Sequence, residues 1–276
     1  MKRVKPSRPL RARLGGAGRR LLCGALISAA LMLPSHAART VNVQVDGELL
    51  SARSYVANGV TYVPLRTLLD AFGGWDIFWD GDTRQAVAAS ASSRLTADPA
   101  TGTITVDGTG HTGRVTVENG RPYVPLRLVT EALGGSAEWD AYLNGAAVTS
   151  PDGDYDAADL YWLSRIISAE SGAAPMEGQI AVGNVVLNRV ESDEFPDSIP
   201  AVIFDRVDAV QFEPVANGTV YNTPTARSVE AAKRTLDGEN TVGEALYFYA
   251  PALSQGVWIN DNRTYHKTIG CHRFYL

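Results

Sequence analysis

Two grammars of apolar and polar positions follow one another along this chain. From Val45 the sequence reads "VDGELLSARSYVANGVTYVPLRTLLDAFGG", and from Val106 "VDGTGHTGRVTVENGRPYVPLRLVTEALGG", an almost gap-free repeat at an offset of 61 residues. In each copy, Asp-Gly and Asn-Gly steps (Asp46-Gly47 and Asn58-Gly59, then Asp107-Gly108 and Asn119-Gly120) mark hairpin turns. The short alternating runs of Val, Tyr and Thr between them predict strands. Pro64 and Pro125 can each open a helix. Leu65, Leu68, Leu69 and Phe72 share one helical face, as do Leu126, Val129 and Leu133. Gly73-Gly74 and Gly134-Gly135 stop these helices. Trp79-Asp80 and Trp139-Asp140 then lead into further strands.

At Ser150 the grammar changes. Residues 150–157, within "SPDGDYDAAD", are polar and carry Gly and Pro, which predicts a linker. The remaining stretch has the length of a domain. Asp156 or Asp159 can cap a helix on which Leu160, Leu163, Ile167 and Glu170 share a face. Gly172 and Pro175 end it just beyond Glu170. A second helix, from about Pro175 to Val190, presents Ile180, Val182, Val185, Val186 and Leu187 over a wide arc, which suits a central position. Asn188 lies on its other face, able to line a cleft or to hold a nearby loop.

Glu170 is the oddity of this pattern, a carboxylate on the stripe that should face the core. It is placed in the last helical turn, beside the negative end of the helix dipole. Burial and the dipole both disfavour its charged form, so its pKa should rise. A carboxylic acid still protonated near neutral pH is what general-acid chemistry requires. The structural alternative is a Glu paired with Arg165 or Arg189.

Charge changes the picture once the N-terminus is set apart. The first 37 residues hold eight basic residues and no acidic one, followed by an apolar run from Leu21 to Leu33 and "SHA". This predicts a secretory signal peptide over residues 1–37 and export to the cell envelope or the extracellular space. The rest carries 17 basic against 30 acidic residues, net −13, which argues against nucleic acid as a partner. One cysteine, Cys271, remains after the signal, so no internal disulfide is expected. The Tyr, Trp and Arg positions of the repeats read as packing rather than as a sugar platform.

Two resemblances add to this reading. The "YVPLR…GG…WD" pattern resembles the copper amine oxidase N-terminal-like domain, a stalk-type module, over about residues 40–149, with repeats at about 40–90 and 104–149. His111 is the only histidine of this region, so no metal is expected there. Further on, "SAESGAAPMEGQIAVGNVVLNRV", "FPDSIPAVIF", "QFEPVANG", "ALYFYAP" and "TIGCHRFY" occur in order. Residues 158–276 thereby resemble the cell wall hydrolase family of the SleB/CwlJ spore cortex-lytic type.

That resemblance implies action on peptidoglycan, with the catalytic glutamate in an "E-x-x-G" near the domain start. Glu170 fits, although Gly172 stands one place early and Ala174-Pro175 replaces the usual acidic residue that follows. A lytic transglycosylase needs one carboxylate, because the muramic acid's own C6 hydroxyl attacks C1. Hydrolysis needs a second carboxylate, for which Glu177, Asp193, Glu194 and Glu213 are candidates. Asn188, Gln211, Phe212, Tyr247, Trp258 and His272 are expected to shape the glycan groove. His266, Cys271 and His272 cluster near the end, but their spacing suits no usual zinc motif, and no cofactor or metal is expected.

The expected fold class is α+β: two small strand-helix stalk repeats, then a mostly helical, lysozyme-like catalytic domain with a small β-sheet. The expected partners are peptidoglycan glycan strands and, through the stalk, a wall or spore protein. The rival readings are a non-catalytic wall-binding protein, and a metal-dependent amidase or peptidase using His266 and His272.

Overall fold

The computed structural model describes residues 38–207 and 210–276. The expected signal segment, 1–37, lies outside the described residues. The first repeat forms β1 (Arg39–Val45), β2 (Glu48–Leu49), β3 (Ser54–Ala57), β4 (Val60–Pro64), α1 (Leu65–Phe72), β5 (Asp76–Asp80) and β6 (Gln85–Ala89). Strand β7 (Arg94–Asp98) lies between the repeats, and the second repeat begins with β8 (Thr103–Val106), β9 (Thr109–Thr112), β10 (Thr116–Glu118) and β11 (Arg121–Pro125). It ends with α2 (Leu126–Ala132), β12 (Ser136–Asp140) and β13 (Gly145–Thr149). All four Asx-Gly steps have positive φ at both residues, 49° to 51° at the Asx and 74° to 91° at the glycine. That is the backbone a type I′ hairpin demands.

The repeats do not form two modules in series, as their spacing along the chain suggests. They interleave. β4 pairs antiparallel with β11, and the equivalent valines of the two "YVPLR" segments, Val63 and Val124, face each other in that ladder. β1 of the first repeat pairs in parallel with β13 at the end of the second. Between the repeats, β7 pairs with β6 of the first and with β8 of the second. The outcome is an eight-stranded sheet, a five-stranded sheet and one shared core that includes Leu65, Leu68, Leu69, Leu126 and Val129. Neither repeat can bury its helix face without strands from the other.

The remainder is helical: α3 (Ala157–Ser171), α4 (Met176–Glu191), α5 (Ile199–Ile203), α6 (Glu213–Asn217), α7 (Ala226–Leu236) and α8 (Val257–Asn262). A three-stranded antiparallel sheet is made of β14 (Tyr247–Tyr249), β15 (Tyr265–Ile269) and β16 (His272–Tyr275), with β16 central. The mixed α and β class is as expected. Helix α3 is buried at ten of its fifteen positions, and α4 is equally enclosed. No helix among the described residues is long and apolar enough to cross a membrane.

Residues 150–157 are a pinned turn instead of a free linker. The Ser150 amide donates to Asp46 Oδ1 (2.9 Å), and the Ala157 amide to Thr149 Oγ1 (3.1 Å). The side chains that fix it, Asp46 and Thr149, lie outside the stretch itself. The second repeat also docks on α3. Asp140 Oδ2 accepts from Trp162 Nε1 at 2.7 Å, while its Oδ1 accepts from the amides of Tyr142 (2.8 Å) and Leu143 (3.0 Å). Tyr142 stacks on Phe204 at 4.3 Å, and Leu143 joins the helical core.

Asp140→Ala would strand a buried indole N–H, a loss of about 1–3 kcal/mol. Its counterpart in the first repeat, Asp80, is only partly buried and accepts from the amides of Asp82 and Thr83, and Asp80→Ala is expected to cost less. Chemical denaturation of both variants checks the order.

Candidate active site

The site is built around the C-terminal end of α3. At the other end Asp156 caps the helix, accepting from the amides of Ala158 (2.9 Å) and Asp159 (3.0 Å). Leu160, Leu163 and Ile167 are buried as their spacing predicts, and Glu170 follows on the same stripe, half-buried. Gly172 ends the helix where a Cβ would strike the Ser168 carbonyl oxygen.

A polar network holds the turn beyond Glu170. Gln179, fully buried on α4, donates through Nε2 to the carbonyls of Ala174 (3.0 Å) and Gly172 (3.3 Å). Its Oε1 accepts from Ser228 Oγ at 2.8 Å. Ser228 contacts Thr225 Oγ1 at 2.8 Å, and the Thr225 amide donates to Ser168 Oγ at 3.2 Å, one turn ahead of the site. A side chain this buried and this well satisfied fixes the turn in place. The one sequence signal for Gln179 is a polar residue on an otherwise apolar arc.

Glu170 sits where two clefts meet. One, of 510 Å³, is lined by Glu213, Asn217, Thr219, Asn222, Thr223 and Leu253 among others. The second, of 730 Å³, runs over Ala173, Ala174, Pro175, Thr225 and Cys271. Ser168, Ala169 and Glu170 line both. The carboxylate thus has open space on either side, one wall rich in hydroxyls and amides and the other mostly apolar.

The Glu170 pKa is pushed up to about 7, first by burial and then by the nearby carboxylate of Glu213, with Arg189 opposing. No hydrogen bond or ion pair to Glu170 occurs among the described residues. Both arginines that could have neutralised it are engaged elsewhere. Arg165 lies 3.4 Å over the Tyr161 ring and donates to the carbonyls of Tyr161 (3.2 Å) and Gly47 (3.4 Å). Arg189 donates from Nε to the Leu246 carbonyl (2.8 Å) and from a terminal nitrogen to Gln211 Oε1 (3.5 Å). Burial lowers the Arg189 pKa to about 10, so it stays cationic at neutral pH.

Of the six residues expected to shape the glycan groove, none lines the two clefts at Glu170. Asn188 spends its amide on the carbonyls of Gly243 (2.8 Å) and Ala245 (2.9 Å), pinning that loop to α4. Gln211 is half-buried against Arg189. Phe212 is a core residue at 2% exposure, packed on Phe248, and offers no face to a sugar. His272 is buried too, edge-on to Phe248 at 5.4 Å, and burial lowers its pKa. Tyr247 and Trp258 do share a surface cluster, their rings 6.1 Å apart, with the Arg263 guanidinium 4.2 Å over Tyr247.

Glu213, considered only as one of four possible second carboxylates, is the one that reaches the cleft. His266 is exposed and His272 buried, so the pair does not converge. Among the described residues no group of three or more His, Cys, Asp or Glu is placed to hold a metal.

Comparison with known proteins fits this division of the chain. Residues 44–149 match the copper amine oxidase N-terminal domain family, and residues 173–275 match the Cell Wall Hydrolase family, a stretch that starts three residues beyond Glu170. A spore cortex-lytic enzyme of Bacillus cereus is 33% identical over 141 residues, 51% of this chain and 52% of the relative. One of Bacillus subtilis is 33% identical over 129 residues, 47% of this chain and 41% of the relative. The chain thus spans about half the length of the curated relatives it matches. Among solved structures, the catalytic domain of the germination-specific lytic transglycosylase SleB from Bacillus anthracis is 34% identical. That match covers 45% of this chain and 98% of that one, with a TM-score of 0.41. Residues 173–275 thus carry a domain of the Cell Wall Hydrolase family, residues 44–149 carry a copper amine oxidase N-terminal domain, and the chain is homologous to the spore cortex-lytic enzymes.

Proposed function

We propose that this protein cleaves the glycan strands of peptidoglycan between N-acetylmuramic acid and N-acetylglucosamine, as a lytic transglycosylase, with Glu170 as the acid and then the base. The observation that carries the reading is a half-buried, unpaired carboxylate at the junction of two clefts, with a pKa of about 7. A glycan laid along both clefts would place a glycosidic bond beside it.

In the first step the Glu170 proton passes to the glycosidic oxygen, and the bond from that oxygen to the muramic acid C1 breaks. In the second, the muramic acid C6 hydroxyl forms a bond to C1 and gives its proton to the Glu170 carboxylate. A 1,6-anhydro sugar results, the acid is regenerated and no water is consumed. Burial supplies the protonated starting state; the Glu213 charge reinforces it. The relatives' names point to the spore cortex as the setting, which agrees with an envelope location for this chain.

Glu213 also favours one second reading. A carboxylate in the same cleft could activate a water, giving hydrolysis with a reducing end instead. Mass spectrometry of muropeptides released from purified cortex and vegetative peptidoglycan separates the two. Anhydro-muramic products that disappear in Glu170→Gln are expected. Reducing-end products lost in both Glu170→Gln and Glu213→Gln would establish hydrolysis.

The acid form of Glu170 is lost as pH rises, so the rate should fall through about pH 7. Glu213→Gln removes one cause of the raised pKa and should move that descending limb to lower pH; rate–pH profiles of the two proteins check it.

Stability carries the same signature in the absence of substrate. Between about pH 4.5 and 7 the folded chain keeps a proton that the unfolded chain releases, so ionisation destabilises the fold as pH rises through that window. Glu170→Gln is therefore expected to be more stable than the parent at pH 8, with the difference vanishing near pH 4. Urea titrations at both pH values measure it.

A further inference from the structure

The interleaved repeats carry two clefts of their own, 420 and 880 Å³, remote in sequence from Glu170. The same repeat positions build both. Arg66, Asp70 and Trp79 line one; Arg127, Glu131 and Trp139 line the other. Each is completed by the Asn-Gly turn of the opposite repeat, Gly120 in the first and Gly59 in the second. The clefts therefore exist only because the repeats interleave.

Their tryptophans are not packing residues, contrary to the expectation from sequence. Trp79 is 49% exposed and Trp139 46%. The register explains why. Both stand on edge strands, and their cross-strand partners are alanines, Ala86 and Ala146, too small to cover an indole. In both copies the helix arginine ties down the tryptophan-bearing strand: Arg66 donates to the Ile77 carbonyl, and Arg127 to the Ala137 carbonyl at 3.0 Å. Arg127 also meets Glu131 at 3.8 Å. The guanidinium of Arg39 lies 5.5 Å from the Trp139 ring centre, which leaves Trp79 the more open of the two.

An open indole flanked by a guanidinium and a carboxylate suits a pyranose ring. The sugar's C–H face covers the ring while its hydroxyls meet the charged groups. A glycan strand offers such a face at every sugar ring, whereas a peptide offers one only where its sequence supplies a proline or an aromatic side chain. Two equivalent sites on one body match a ligand that repeats. We propose that these two clefts are glycan-binding sites that hold peptidoglycan by its sugar rings, apart from the cleft at Glu170. The identity of the polymer rests on the proposed function; the sugar chemistry rests on the clefts. Each site need bind only weakly, because engagement of one strand network by both raises the effective concentration for the second contact.

Co-sedimentation of the Glu170→Gln chain with purified insoluble peptidoglycan, and its calorimetric titration with peptide-free glycan chains, test this. Trp79→Ala/Trp139→Ala in that background should weaken binding about tenfold or more, and each single variant less. The melting temperature should stay unchanged, since both side chains are exposed. Unaltered affinity in a double variant that melts normally would overturn the proposal. So would binding to free stem peptide with none to peptide-free glycan. Muropeptide release by the parent chain is scored separately, so failure of the catalytic reading and failure of these sites give different results.

Discussion

The enclosure of α3 is the constraint on which the rest depends. Packed by α4, α5, α7 and the end of the second repeat, this helix has little free surface except at its C-terminal turn. Every residue toward that end is held, from the Asp156 cap through Trp162 to Ile167. A carboxylate at such a terminus enters a poorly solvated place without choosing a partner. Arg189 opposes the rise in its pKa without pairing with it, and the fold gives both Arg189 and Arg165 other acceptors. The elevated pKa of Glu170 is thus a consequence of where the helix must stop and of what its neighbours are already bonded to.

The same logic runs through the repeat unit. A repeat of this length has one short helix and too little sheet to cover it, so the two copies complete each other across the β4–β11 ladder. That exchange fixes β13 beside β1, and the residues leading into β13, Asp140 to Leu143, then reach α3. The repeat unit and the helical part therefore meet through buried polar and aromatic contacts, which a flexible stalk would not make. The two tryptophan clefts and the Glu170 clefts belong to one body.

Local chemistry was legible in the sequence, and long-range pairing was not. The Asx-Gly turns could be read because positive φ at two successive residues leaves few alternatives to those pairs. The helix faces of α1, α2 and α3 followed from spacing, and so did the placement of Glu170 on a buried stripe. Strand exchange was hidden, because both repeats present the same pattern and nothing in a strand names its partner. The site residues divided on burial. Phe212 and His272 lie in distinctive blocks, yet they pack inward behind Phe248, and Asn188 satisfies a loop. Gln179 and Glu213 matter through contacts from α7 and α6, elements whose approach to α3 only the fold reveals.

The ionisation of Glu170 is the most direct test of this account. Carbon-13 NMR titration of side-chain carboxyls in glutamate-labelled protein, with Glu170→Gln to assign the signal, reads it without substrate. A Glu170 carboxyl titrating near pH 7 is what the structure requires. A midpoint in the ordinary glutamate range, about 4.3, would contradict it, because a carboxylate ionised at neutral pH cannot serve as the acid.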